Sequence, residues 1–448
     1  MIYLLLSCAL AVSLPSAQSG AEPAREWTLL FYGASDNNSE ESFVPDMQSA
    51  MKGLPLAGID VLAFVDRSPK YSKAKGAFFE DFSDARLYRL NGGESERLAG
   101  GEAFPEITLT SNYEANSGDA LTLRKALRWA KQTSPAKHYA VIFYSHGGGD
   151  SWCPDETSGN DLLYPAELTD VLEHSDSLDL MIFDVCLMGA VENAYQWRPT
   201  PDKFGVDVMV ATPMAGFPFP WERIFGEVAK AETLSPSHFG ELIVGVVEEG
   251  RYEDLYRDGL PEWAEKAISL ESMGCYDLSQ AASVKRHTDQ LAVELARIPA
   301  AKDALGELRG SGEVKGLMNY MGAGAPNAWA SYPYFDLYDL ARRIPDLDCA
   351  TPALIAAAKA LGGSVEAMVL ASFGMPGYEE FGFVPGANGL SILLPDGEKH
   401  WKQHFKWYSP LEVKGKGYGK YGWCADGSLS ESDSVGNWYG LLHAWYGD

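Results

Sequence analysis

Two short stretches carry residue types that can do nucleophilic chemistry together: "YSHGGG" at 144–149 and "FDVCLMGAVENAYQ" at 183–196. A cysteine attacks a carbonyl only as the thiolate, and it needs a base within reach. Cys186 follows an apolar run. It precedes "LMGAVENAYQ", where Leu187, Val191 and Ala194 fall near one face and predict a helix. The partial positive charge of a helix N-terminus would favour the thiolate. His146 also ends an apolar run, and three glycines follow it. Glycines leave the backbone unobstructed and free to take unusual dihedrals, so a substrate carbonyl could approach the Gly147 or Gly148 amide. A lone cysteine at a strand end is usually a small buried hydrophobe. A cysteine and a histidine at two strand ends point instead to nucleophilic catalysis, with the histidine as base to the thiol.

Asp184 sits two residues before the cysteine. On a strand, residues i and i+2 face the same way, roughly 7 Å apart. A carboxylate there opposes the thiolate by about 2.4 kcal/mol at an effective dielectric of roughly 20. Two readings account for it. Asp184 lines a pocket for a cationic side chain, whose charge offsets the penalty, or it bonds to loop amides and is already satisfied.

The elements that must position these residues read as alternating buried strands and helices. Strands are expected at 27–32, 60–65, 139–145, 178–185 and 206–212, and a hairpin at 77–90. Helices are expected at 117–132, with Ser117 or Asp119 as cap, and at 165–174, with Pro165 in the first turn. "SDNNSEE" at 35–41 is a polar turn able to cap a helix. This alternation predicts a largely parallel sheet covered on both faces, with active residues at the carboxyl ends of strands. Past 250 the pattern loosens, so 251–448 is expected to extend the same sheet or form an appended unit. Its "GKGYGKYGW" at 415–423 reads as a loop.

The 448-residue chain has 62 acidic against 36 basic residues, a formal charge of −26. Such a surface repels nucleic acid and anionic lipid. Residues 2–14 are mostly apolar and small residues follow, as in an export signal covering about residues 1–21, too short to span a membrane. Cys8 also fits a loose lipid-anchor pattern, but the apolar segment before it is short and simple export is favoured. No later run reads as a membrane helix. The six cysteines show no metal-type spacing. With Cys8 removed, five remain, so at least one thiol is unpaired and at most two disulfides form.

"PAKHYAVIFYSHGGG" (135–149) and "FDVCLMGAVENAYQ" resemble the two signature stretches of the clostripain family of cysteine peptidases. "LLFYGASDNNSEE", "GDALTLRKALRWAK", "FDLYDLARRI" and "NGLSILLP" are similar to its other landmarks, so the likeness spans roughly residues 26–400. The resemblance implies a caspase-like α/β/α sandwich in 22–250, completed or extended by the C-terminal portion. It implies a His146–Cys186 dyad, an oxyanion hole from the amides of Gly147 and Cys186, and Asp184 in the pocket for an Arg or Lys before the cut. Two departures stand out. In "ATPMAGFPFPWERIF" (211–225), Thr212, Pro213 and Met214 replace the family's polar and acidic residues, so Thr212 and Met214 are expected to wall a less acidic, more apolar pocket. Residues 147–185 contain no Lys or Arg, so maturation by a basic-specific cut between the dyad residues is not expected. Asp150, Asp155, Glu156 and Asp161 in that span could hold calcium, as in some relatives, but read better as a solvated acidic loop. No cofactor is required otherwise. The expected partners are peptides or proteins. The alternatives are a caspase-like peptidase with neutral or apolar preference, and an exported binding protein that keeps the fold without activity.

Overall fold

The computed structural model describes residues 25–447 apart from 74–77, 79, 311–315, 321–331, 405–406, 412–419 and 428–434. The export signal, Cys8 and most of the loop at 415–423 therefore lie outside the described residues. In chain order the strands are β1 (Arg25–Ser35), β2 (Ile59–Arg67), β3 (Ala85–Asn91), β4 (Glu94–Leu98), β5 (Ala136–Tyr144), β6 (Trp152–Asp155), β7 (Asp161–Leu163) and β8 (Leu178–Asp184). They continue with β9 (Val206–Ala211), β10 (Ser272–Asp277), β11 (Tyr334–Asp336), β12 (Val369–Gly374) and β13 (Ser391–Leu393). The first helices are α1 (Glu40–Lys52), α2 (Ala120–Thr133), α3 (Pro165–Val171), α4 (Val191–Gln196), α5 (Trp221–Val228) and α6 (Pro236–Leu255).

A nine-stranded sheet runs in the order β12-β10-β9-β8-β5-β1-β2-β3-β4. Its centre, β9-β8-β5-β1-β2, is parallel. Antiparallel pairs close both edges, β10 and β12 beyond β9 and β3 and β4 beyond β2. The expected strands all form. The residues past 250 supply β10 and β12 to this sheet. The hairpin expected at 77–90 lies instead at 85–98, because β3 pairs with β2 as well as with β4.

Side chains alternate across the central strands, as a doubly covered sheet requires. On β1, Leu30 and Tyr32 enter the core under α2 to α4 and the C-terminal helices, while Leu29 and Phe31 enter the core under α1, α5 and α6. Asp119, not Ser117, caps α2 by accepting from the Leu121 amide. Ser117 instead donates its amide and hydroxyl to Asp155. All five described cysteines are free, so no disulfide forms among them. Among the described residues no helix is long and apolar enough to cross a membrane.

Candidate active site

β5 and β8 are parallel neighbours in which Tyr144 stands opposite Asp184. His146 and Cys186 each lie two residues beyond that pair. Equal offsets beyond neighbouring parallel strands bring the two residues to the same carboxyl end of the sheet. Both line one cleft of about 230 Å³ together with Asn38, Tyr144, Asp184, Thr212 and the segment Gly216–Phe219. A larger cavity of about 430 Å³ beside Lys285 and Asp289 carries neither histidine nor cysteine among its described residues.

The glycines after His146 do specific work. Cys153 donates its amide to His146 and Gly148 to Ser151, so Gly147 faces Trp152 with its own amide outside the ladder. A side chain at Gly147 would place its Cβ 2.2 Å from the Cys186 carbonyl oxygen. Only glycine lets the histidine loop pack this closely on the cysteine loop.

The cysteine does not open a helix, contrary to the sequence expectation. Leu187 has φ 68°, and α4 begins only at Val191. Residues 187–190 instead form a turn and loop held by backbone bonds to other segments, with a bridge from Ala190 to Ser391. Leu187 donates to the Met214 carbonyl and Gly189 to Thr212, while Ser391 donates to Gly189. The thiol therefore gains no help from a helix dipole. Burial raises its pKa, a backbone hydrogen bond from Gly216 opposes that rise, and the charges of Asp184 and Glu271 add to it. Burial lowers the His146 pKa. Both shifts favour a neutral thiol–imidazole pair in the free protein.

Asp184 is bonded to groups of the neighbouring loop, as in the second reading. It lines the cleft, yet its oxygens accept from the Phe219 amide at 3.2 Å and the Trp221 indole at 2.8 Å. Burial pushes its pKa up to about 7, against the lowering effect of those bonds. Glu271 and Arg251 complete the support of this wall. Glu271 accepts from the Phe217 amide at 2.7 Å and pairs with the Arg251 Nε. Arg251 donates to the carbonyls of Phe217 and Pro218 at 2.9 and 2.8 Å. Gly216–Phe219 has no regular secondary structure, so these bonds hold it in place.

Thr212 lines the cleft, and its hydroxyl donates to the Met214 carbonyl at 2.9 Å. Met214 does not line it. Its side chain packs with Met318, Tyr320, Tyr378 and Phe381, and the Tyr378 hydroxyl meets its sulfur at 3.4 Å. Only its backbone serves the site. The sequence does not mark Arg251 or Glu271, and it marks Asn38 only as part of the polar turn "SDNNSEE". Arg251 lies in a 20-residue helix and Glu271 just before β10, and no local pattern marks either.

The acidic residues between His146 and Cys186 do not fit a calcium ion. Asp155 is fully buried rather than solvated and accepts from Ser117, Thr157 and Ser158. Glu156 pairs with Lys70, Asp161 accepts from Asn116, and Asp150 accepts from Ser151. Among the described residues no three His, Cys, Asp or Glu side chains are grouped to hold a metal.

Known proteins are similar to this chain in sequence and fold. The clostripain family model matches residues 31–445. The chain is 33% identical over 481 aligned positions to clostripain of Hathewaya histolytica, covering 96% of this chain and 89% of that one. In fold it is similar to an inactive zymogen C11 protease from Parabacteroides distasonis, with TM-score 0.58 at 18% identity over 87% of this chain and 98% of that one. It is also similar to a secreted C11 cysteine protease from Bacteroides thetaiotaomicron in complex with an irreversible peptide inhibitor, with TM-score 0.57 at 17% identity over 86% and 98% of the two chains.

Proposed function

The chain belongs to the clostripain family and is a cysteine endopeptidase with the caspase-like fold, and on that premise we propose that it is an exported enzyme that uses Cys186 and His146 to cut after Arg or Lys. The observation that carries this reading is the shared cleft, where the thiol, the imidazole and one buried carboxylate meet at the carboxyl ends of β5 and β8. The apolar stretch at 2–14 supports export, and a similar C11 protease is described as secreted. The same relative's peptide inhibitor supports peptide substrates.

In this reading the substrate's basic side chain enters beside Asp184, between Thr212 and the wall Gly216–Phe219. Its positive charge offsets the carboxylate that raises the thiol pKa, so the correct substrate helps to generate its own nucleophile. Sulfur attacks the carbonyl carbon as His146 takes the thiol proton. The oxyanion is received by the Gly147 and Cys186 amides, and an oxyanion donor of this kind is typically worth about 2.7–4 kcal/mol. His146 then gives its proton to the departing amine, and water, deprotonated by His146, releases the acyl group. Cys186→Ala and His146→Ala are expected to fold and to lose turnover, and a peptide library cut by the wild type is expected to show Arg or Lys before the scissile bond. Turnover retained by either variant would falsify the dyad. A library cut after apolar residues would favour the neutral-preference alternative, for which the apolar wall Phe217–Phe219 is the relevant feature.

A further inference from the structure

For His146 to take a thiol proton, one ring nitrogen must be bare and the ring must be held. The structure shows what holds it. The His146 Nε2 lies 2.7 Å from the side-chain oxygen of Asn38. An asparagine in a turn ordinarily bonds its own backbone two residues on. Asn37 does so, accepting from the Ser39 amide at 2.9 Å, whereas Asn38 reaches a residue 108 positions away. Its turn is fastened to the histidine loop from several sides. Asn37 donates to the Ser145 hydroxyl at 3.2 Å and to the Pro154 carbonyl at 2.8 Å. Glu156 donates its amide to the Asp36 carbonyl at 2.9 Å, and Thr157 to the Asp36 carboxylate at 2.8 Å.

We propose that Asn38 is the positioning residue for His146, its side-chain oxygen accepting from Nε2–H and so leaving Nδ1 bare for the Cys186 proton. A hydrogen bond to one ring nitrogen selects the tautomer and fixes the ring plane. An amide oxygen does this without a net charge, so it steadies the imidazolium during turnover without locking the resting ring in that form. The inference rests on the reading of His146 and Cys186 as the dyad. The titratable groups facing His146 across the cleft are Cys186 and Asp184, with Tyr144 on its own strand. Asp184 is tied to Phe219 and Trp221, and Tyr144 to Asp46.

The test uses the purified full chain and a fluorogenic peptide with a basic residue before the cut. Asn38→Ala is expected to lower kcat roughly 10- to 100-fold, the usual cost of losing an orienting partner, with KM within about twofold. Asn38→Asp keeps the acceptor and adds a charge, so it should keep most of kcat and move the acid limb of the kcat/KM profile to higher pH. Three results overturn the proposal: Asn38→Ala with kcat close to wild type, a loss confined to KM, or an Asn38→Asp profile with an unshifted acid limb. His146→Ala separates this failure from that of the dyad. If it is inactive while Asn38→Ala is unimpaired, only the positioning role falls. If it stays active, the dyad falls too.

Discussion

At the scale of single residues, the proposed role of Asp184 in binding a basic side chain would couple specificity to pH. Its pKa, pushed up to about 7 by burial, leaves part of the population neutral near neutral pH and therefore a weak partner for a cation. As pH rises through about 7 the carboxylate forms, and the attraction to Arg or Lys is gained. Ionisation of the dyad also changes the rate with pH, so the informative quantity is a ratio. We expect kcat/KM for an arginine peptide, divided by that for its citrulline analogue, to rise through pH 7 and then level off. In Asp184→Asn that ratio should be flat and lower by about 100-fold, on the order of 3 kcal/mol. Asparagine places an N–H group where Asp184 accepts from Phe219 and Trp221, so the citrulline rate also reports any displaced wall. A mutant ratio equal to wild type would remove Asp184 from recognition.

At the scale of elements, the wall Gly216–Phe219 depends on an ion pair brought from elsewhere. Arg251 on α6 and Glu271 before β10 are both nearly fully buried and bind its backbone from behind. Burial raises the Glu271 pKa and Arg251 opposes that rise. Removing Arg251 alone leaves a buried carboxylate uncompensated, which typically costs about 3–5 kcal/mol. Arg251→Met is thus expected to melt earlier and to bind basic substrates less well. The double change Arg251→Met with Glu271→Met should recover much of the melting temperature, since no charge is orphaned. Its KM should stay high, because the wall is still untied. Thermal melts and Michaelis curves on both variants check this, and a normal KM in the double variant would show that the pair serves stability alone. The loop 185–190 teaches a related lesson. Its spacing predicts a helix, but Leu187 takes a positive φ and the bonds to Thr212, Met214 and Ser391 hold the segment as a loop. Tertiary partners outweigh local propensity in so short a segment.

At the scale of the whole molecule, the connection between the dyad strands is built into the fold. It contains β6, β7 and α3, its Asp155 is buried against Ser117, and it lacks any Lys or Arg. A basic-specific activity has no target residue there. The active enzyme is expected to remain uncut between His146 and Cys186, and intact-mass spectrometry of enzyme labelled at Cys186 by a peptidyl electrophile checks this. A self-made cut within 147–185 in the labelled species would refute it.

Much of this molecule was legible in sequence because its centre is periodic. Strands buried on both faces leave continuous apolar runs, and those runs marked β1, β2, β5, β8 and β9, with His146 and Cys186 at two of their ends. Residue type and spacing picked out Cys186 and His146 as the candidate nucleophile and base, the carboxylate of Asp184 beside the cysteine, and the absence of basic residues between the two. Only the tertiary structure decided that β5 and β8 are neighbours in equal register, that the cysteine stands on a loop rather than a helix, and that Met214 turns away from the cleft. It alone brought Asn38, Arg251 and Glu271 to the site, since hydrogen bonds between residues scores of positions apart leave no periodic trace in the chain.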